Sequence, residues 1–168
     1  CRGGELEFDA GMTRLKSRND FILPNGQIII APTFNGQGKI QSVAEKVTNT
    51  AFAATGTVNY DVLTQAVWNF TLDAAANWTL NVRGDVSNSL DSIMDTGESI
   101  TIAHIIKQGG TAYYNNVFQI DGSTVTPEWQ GGTAPSAGNT SSLETYTYTI
   151  IKTGSATFTV LAAQTQFA

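Results

Sequence analysis

Residues 144–151 read "ETYTYTII" and residues 155–162 read "SATFTVLA". In both stretches threonines alternate with apolar or aromatic side chains, which is the pattern of a β-strand with one buried face. The side chains that share the apolar face are Tyr146, Tyr148 and Ile150 in the first stretch, and Ala156, Phe158 and Val160 in the second. Lys152-Thr153-Gly154 stands between them and offers a glycine for a tight turn. The two stretches therefore predict an antiparallel hairpin.

The same pattern extends towards the N-terminus. Asp121-Gly122 separates "NNVFQI" from "STVTPEW" and is a strong signal for a two-residue hairpin turn. "SLDSIMDTG" (89–97) predicts a single helical turn, which Ser89 would cap and Gly97 would end. Further strands are predicted at 38–44, 46–53, 56–63, 65–72, 77–83 and 99–107. Eight or so short strands with frequent turns predict an all-β fold, an antiparallel β-sandwich of the jelly-roll or Greek-key type. No internal repeat is evident.

Composition narrows the classes of function. Only 14% of the 168 residues are charged, against roughly 25% in ordinary globular domains. The net charge of −5 argues against nucleic-acid binding, which normally requires a basic face. No apolar run approaches the roughly 20 residues of a membrane-spanning helix, so we expect no membrane insertion. Cys1 is the only cysteine, so no disulfide forms within the chain, which fits folding in a reducing cytoplasm.

Residues 1–37 differ from the rest and predict an extended N-terminal arm ahead of a sandwich domain at 38–168. The arm combines basic and apolar side chains, namely Arg14, Lys16, Arg18, Phe21, Ile22, Leu23, Ile28, Ile29 and Ile30. One interpretation is a partly ordered terminus. The other is an assembly arm held by a neighbouring subunit, because three consecutive isoleucines on an uncovered arm would invite aggregation. On this second interpretation, residues 28–30 add a strand to the neighbour's sheet edge.

A search for catalytic or metal-binding groups finds no convincing set, and we predict neither an enzyme nor a bound cofactor or metal. His104 is the only histidine and shares strand parity with three isoleucines, which predicts a hydrogen-bonded imidazole in the core or at an interface. A zinc site would need several cysteine or histidine ligands. The acidic loop Asp85–Glu98 lacks the spacing of a calcium-binding loop and is expected to be solvated, with some carboxylates capping backbone amides. A pair of glycosidase carboxylates drawn from different strands would leave no sequence signature.

The aromatic residues of "TAYYNNVFQIDGSTVTPEWQGG" (111–132) suggest a contact with sugar rings. Tyr114 and Trp129 are the candidates, with neighbouring amides as hydrogen-bonding groups. Adjacent Tyr113 and Tyr114 would point to opposite faces of a strand, so at most one of them faces solvent. Trp129 follows Pro127, which places it at a sheet edge or strand end. Packing in the core or between subunits is the alternative role for both candidates.

Three stretches carry a resemblance to a known family: "NVRGD", "AYYNNVFQIDGSTVTPEWQGGTAP" and "YTYTIIKTGSATFTVLAAQTQFA". Residues 38–168 resemble a β-rich module in virion proteins of tailed phages, especially phages of marine cyanobacteria and similar bacteria. The similarity is densest from residue 104 onwards. The chain departs from the family pattern at Glu128, where a basic residue is common, so the surface charge differs locally.

The resemblance implies a structural role on the phage particle, as a capsid decoration protein or a subunit of a fibre or other appendage. It implies a virion location after synthesis in the host cytoplasm, and other virion proteins as partners. It supplies no catalytic residues. We expect the chain to work as a homo-oligomer, a trimer, whose copies bury the arm and the sheet faces against one another. The alternative is a module of a phage fibre that binds carbohydrate on the host surface through Tyr114 and Trp129.

Overall fold

The computed structural model describes residues 44–167, which form ten strands and one short helix. In chain order these are β1 (Val47–Thr50), β2 (Gly56–Asp61), β3 (Val67–Asp73), β4 (Trp78–Arg83), α1 (Leu90–Ile93), β5 (Ser99–Lys107), β6 (Asn115–Ile120), β7 (Ser123–Thr124), β8 (Glu128–Trp129), β9 (Leu143–Gly154) and β10 (Thr157–Phe167). The predicted arm, with all nine of its candidate assembly residues from Arg14 to Ile30, lies outside the described residues, as does nearly all of the predicted strand at 38–44.

The strands form two sheets, and the predicted all-β sandwich is confirmed. Sheet A has the order β1-β3-β5-β9-β10-β8, and sheet B has the order β2-β4-β6-β7. Both sheets are mixed, whereas the sequence predicted antiparallel pairing. The pairs β1/β3, β3/β5, β2/β4, β4/β6 and β8/β10 are parallel. Alternation of side chains along a strand reports which face is buried but not the direction of the neighbouring strand, which explains the difference.

The first six strands wind back and forth between the sheets, so that successive turns of chain stack on one another. Val47 pairs with Val67, 20 residues later, and Gly56 pairs with Trp78, 22 residues later. Matching asparagines lie side by side across this stack. In sheet A, Asn69 Nδ2 donates to Asn49 Oδ1 at 2.8 Å. The chain therefore contains a structural repeat that the sequence did not reveal.

The corresponding asparagine pair of sheet B is formed by Asn81 Nδ2, which donates to Asn59 Oδ1 at 2.8 Å. Asn81 also accepts the Gly122 amide at 2.8 Å, so its side chain ties the stack to the β6–β7 turn. Because each amide side chain both donates and accepts, such ladders pair polar groups along the stack without a charge. The repeat is thus held by side-chain as well as backbone hydrogen bonds.

The C-terminal hairpin is confirmed, with β9 and β10 paired antiparallel, but its turn lies later than predicted. β9 continues through Gly154, and the turn is made at Ser155 and Ala156, where Ala156 has a φ of 46°. The Asp121-Gly122 turn is confirmed, with φ values of 50° and 80°. Ser89 caps α1 as predicted, because its hydroxyl accepts the Ser92 amide at 3.0 Å.

The core lies between the sheets and is rich in aromatic rings. Tyr146, Tyr148 and Ile150 of β9 are fully buried, as the alternation predicted. They meet Trp78, Leu80 and Val82 of sheet B and the β5 residues Ile102 and Ile106 in one cluster. Within residues 44–167, no helix is long and apolar enough to cross a membrane.

Candidate interaction surfaces

Trp129 lies on β8 at the edge of sheet A, as expected from the position of Pro127 two residues before it. Its ring is half-buried and packs edge-on against Tyr148, with ring centroids 6.0 Å apart. A shallow groove of about 420 Å³ runs past it over the outer side of sheet A and is lined by Glu128, Gln130, Thr147, Thr149 and Leu161 to Ala163. This volume falls in the range of small-ligand sites, although the groove is open to solvent along its length.

Tyr114 occupies a different setting from the one predicted. Neither Tyr113 nor Tyr114 belongs to a strand, because β6 begins at Asn115, and both tyrosines are half-buried against the core. The Tyr114 amide donates to Asn77 Oδ1 at 3.1 Å, and its carbonyl accepts the Trp78 amide. Tyr114 does not line the groove beside Trp129. The structure therefore does not bring the two predicted sugar-contacting residues together there.

His104 is fully buried in β5, in the core as predicted, but it is not hydrogen-bonded. Neither ring nitrogen has a hydrogen-bond partner among residues 44–167. The ring is surrounded by other aromatic rings, those of Tyr60, Trp68, Phe70 and Trp78, with centroid distances of 4.7 to 6.2 Å. Burial lowers the pKa of His104 to about 3, so it is uncharged at neutral pH.

The acidic loop after β4 uses its carboxylates on nearby backbone and side-chain donors, as predicted. Asp85 accepts hydrogen bonds from the Ser87 and Asn88 amides and from the Asn88 side chain, and these bonds hold its pKa below the usual range. Glu98 accepts the amide of Asp95 at 2.8 Å. No three metal-ligating side chains are grouped together within the described part of the chain.

Asp91 of α1 is joined to Lys152, which is buried in β9. Lys152 Nζ lies 2.8 Å from Asp91 Oδ1 and donates to the backbone carbonyls of Asp91 and Met94. The other contact of the carboxylate is the Ala156 amide, 2.7 Å away. Hydrogen bonds from Lys152 and from Ala156 lower the pKa of Asp91. The ammonium group thus ties the helical turn to β9, and the Asp91 carboxylate ties the same turn to the hairpin turn.

Glu144 is a fully buried carboxylate at the start of β9. Oε1 accepts the backbone and side-chain amides of Asn139 at 2.5 and 2.6 Å, while Oε2 accepts Gln108 Nε2 at 2.9 Å and faces the Tyr146 hydroxyl at 3.3 Å. Burial and then the Glu144 charge raise the pKa of Tyr146. Four donors surround this carboxylate. It therefore joins two loops to the sheet, the loop that begins at Gln108 and the loop that carries Asn139.

Sequence reasoning missed both buried charged residues of β9, although a signal was present. Glu144 and Lys152 have the same strand parity as Tyr146, Tyr148 and Ile150, so they must point inwards with them. A charged residue at a strand position whose side chain faces the core indicates a buried ion pair or hydrogen-bond network, because burying an unpaired charge costs too much free energy. Both residues have such partners.

The outer face of sheet A presents rows of neutral side chains across adjacent strands. One row runs over five strands and consists of Val47, Val67, Ala103, Thr147 and Ala163. The next row consists of Asn49, Asn69, Ile105, Thr145 and Thr165. Charged residues occur only at its margins, as the Lys107–Asp73 ion pair at one end and Glu128 at the β8 edge.

The outer face of sheet B has a different character. Arg83 and Asp61 form an ion pair across β4 and β2, at 2.6 Å between Nε and Oδ1. Beside it lies the asparagine pair Asn59 and Asn81, and Gln119 continues that row on β6. The two outer faces of the sandwich therefore differ in charge, although both belong to the same acidic domain.

Comparisons with protein-family models, with curated proteins and with solved structures found no match for this chain.

Proposed function

We propose that this chain is a structural protein of a phage virion, a capsid decoration protein or a subunit of a fibre or appendage, which works as a homo-oligomer. The observation that carries the proposal is the role of the buried charged side chains in β9. Glu144 and Lys152 are both used to fasten surface loops to the sheet. A particle component needs this rigidity, because its surface loops must keep one shape in every copy.

The sequence resemblance to virion modules of tailed phages supports the same role. A trimer is the expected assembly, with the N-terminal arm and the sheet faces as its contacts and other virion proteins as further partners. Light scattering coupled to size-exclusion chromatography measures the mass of the native assembly directly. A chain that stays monomeric and does not associate with phage particles would contradict the proposal.

Deleting residues 1–37 is expected to leave a folded, soluble domain that no longer assembles. The arm's apolar side chains would each contribute roughly 1.5–3 kcal/mol when fully buried against a neighbour, and its basic cluster would face an acidic surface there. Circular dichroism checks folding and light scattering checks mass. A matched full-length variant with Ile28, Ile29 and Ile30 replaced by serine separates the apolar contribution from that of the basic cluster. Unchanged assembly of the truncated chain would reduce the arm to a tether.

A second candidate function is recognition of a host-surface glycan, favoured by the groove of about 420 Å³ beside Trp129. The indole edge, Glu128 and Gln130 would supply the apolar contact and the hydrogen bonds of such a site. Trp129→Ala should weaken binding on a glycan array at least tenfold, whereas Trp129→Phe should retain much of it, because a ring remains. Absence of binding by the native chain, or equal binding by both variants, would remove this candidate.

A further inference from the structure

We infer that the outer face of sheet A is the surface on which a second copy of this chain packs. The inference rests on the proposed homo-oligomer and names its contact surface. The face is the outward side of β1, β3, β5, β9 and β10, with Thr147 near its centre. Its strands are already paired with each other, so the contact is made by side chains rather than by backbone hydrogen bonds.

Charge is the first reason for choosing a second copy as the occupant. Residues 44–168 hold four basic and ten acidic side chains, so two copies carry the same excess of negative charge. Like charges brought together across an interface cost several kcal/mol, which disfavours contact through most of the surface. The centre of this face carries no charged residue in either of its two widest rows. Two copies can therefore meet here without that repulsion.

The cost of removing water from the face is also low. The row through Val47, Val67, Ala103, Thr147 and Ala163 has a single polar side chain. In the neighbouring row the hydroxyls of Thr101 and Thr149 lie 3.0 Å apart and are bonded to each other. A hydroxyl that already has a partner loses less on leaving water than a free one. Leu161, paired with Thr149, adds an exposed apolar side chain on β10.

The size of the face matches what a specific contact needs. β5, β9 and β10 have nine, twelve and eleven residues, which at ~3.4 Å per residue and ~4.8 Å per strand cover on the order of 520 Å². β1 and β3, with four and seven residues, raise this to roughly 700 Å² of flat area, and side-chain relief increases the accessible area further. A standard interface covers about 800 Å² on each partner.

A charge placed at the centre of the face tests the inference. Thr147→Lys puts a lysine into the proposed contact, and Thr79→Lys is the matched control, because Thr79 is an equally half-buried threonine on an inner strand of sheet B. Light scattering at a series of concentrations should show self-association of the Thr147→Lys chain weakened at least ~100-fold, with Thr79→Lys unchanged. Ala163→Lys on β10 repeats the test at a second position if the first variant fails to fold by circular dichroism.

The possible results separate this inference from the proposed function. If the native chain is an oligomer and both folded face variants assemble normally, the oligomer stands and the face is not its contact. If Thr79→Lys dissociates the oligomer as strongly as Thr147→Lys, the effect is not specific to sheet A, and the inference is again overturned. If the native chain is a monomer at every concentration, the proposed homo-oligomer itself fails.

Discussion

Between pH 7 and pH 4 the native protein is expected to lose about 3 kcal/mol of stability because of one side chain, His104. Its pKa is about 3 in the folded chain, against an ordinary value of 6.5. As the pH falls below 6.5, the unfolded chain binds a proton at this residue and the folded chain does not. The free energy of unfolding therefore falls by about 1.4 kcal/mol per pH unit, until the folded ring is also protonated near pH 3.

Urea unfolding at several pH values, followed by tryptophan fluorescence, measures this loss. The comparison is with His104→Leu, which removes both unpaired ring nitrogens and keeps a similar volume. At pH 7 the variant should be as stable as the native chain or slightly more stable, because the nitrogens have no partners to lose. By pH 4 the variant should be about 3 kcal/mol more stable relative to the native chain than it was at pH 7.

The difference between the two proteins is the informative quantity. Carboxylates also titrate in this range, but they are present in both chains and their effects cancel. His104→Phe repeats the comparison with an aromatic ring, in case the leucine packs poorly beside Phe70 and Trp68. Parallel pH curves for the native chain and both variants would show that the folded imidazole accepts its proton near the normal pKa.

His104 also illustrates what the sequence could and could not predict. Its parity with Ile102 and Ile106 placed it in the core, because strand geometry fixes the side on which every second residue lies. The absence of hydrogen-bond partners could not be predicted, since its neighbours come from β2, β3 and β4, far away in the sequence. Local pattern determines burial, whereas long-range pairing determines the chemical surroundings.

The same distinction explains the sheet topology. The β9–β10 hairpin was predictable because its two strands are adjacent in sequence and joined by a short turn. The parallel stack of the first six strands was not, because only some stacked positions, such as the two asparagine pairs, hold the same residue. Other neighbouring positions hold unlike residues, as Thr48, Trp68 and His104 do. Residues 84–98, which include α1, also lengthen one turn of the stack and interrupt the spacing of about 20 residues.

Replacing Glu144 is expected to destabilise the domain strongly, because its carboxylate is fully buried and hydrogen-bonded. Glu144→Gln keeps the shape of the side chain but turns one acceptor oxygen into an amide donor. Gln108 cannot rotate to accept it, because Gln108 Oε1 accepts the Tyr113 amide and Nε2 donates to the Tyr113 carbonyl. Two donors would then face each other in a buried site, at a cost of about 2–3 kcal/mol.

Glu144→Leu should cost more, about 3–5 kcal/mol, because both amides of Asn139 then lose their acceptor and Gln108 Nε2 loses one of its two acceptors. The loop that carries Asn139 is fitted closely against its neighbour. A Cβ on Gly138 would lie only 2.1 Å from the Tyr113 carbonyl oxygen, so the loop has no room to find other partners. The unpaired donors would therefore stay buried or the loop would leave the sheet.

Thermal unfolding measures both changes. A loss of 1 kcal/mol lowers the melting temperature by about 2–4 °C, so the melting temperature should fall by roughly 4–12 °C for Glu144→Gln and by more for Glu144→Leu. Glu128→Gln is the matched control, since it makes the same chemical change at an exposed position on β8 and should alter stability by less than about 0.5 kcal/mol. Hydrogen exchange of the Asn139 amide adds a local measure, because that amide loses its acceptor in the leucine variant. Equal, small shifts for Glu144→Gln and Glu128→Gln would mean that the carboxylate does not hold the two loops to the sheet. That result would also remove the observation on which the proposed structural role rests.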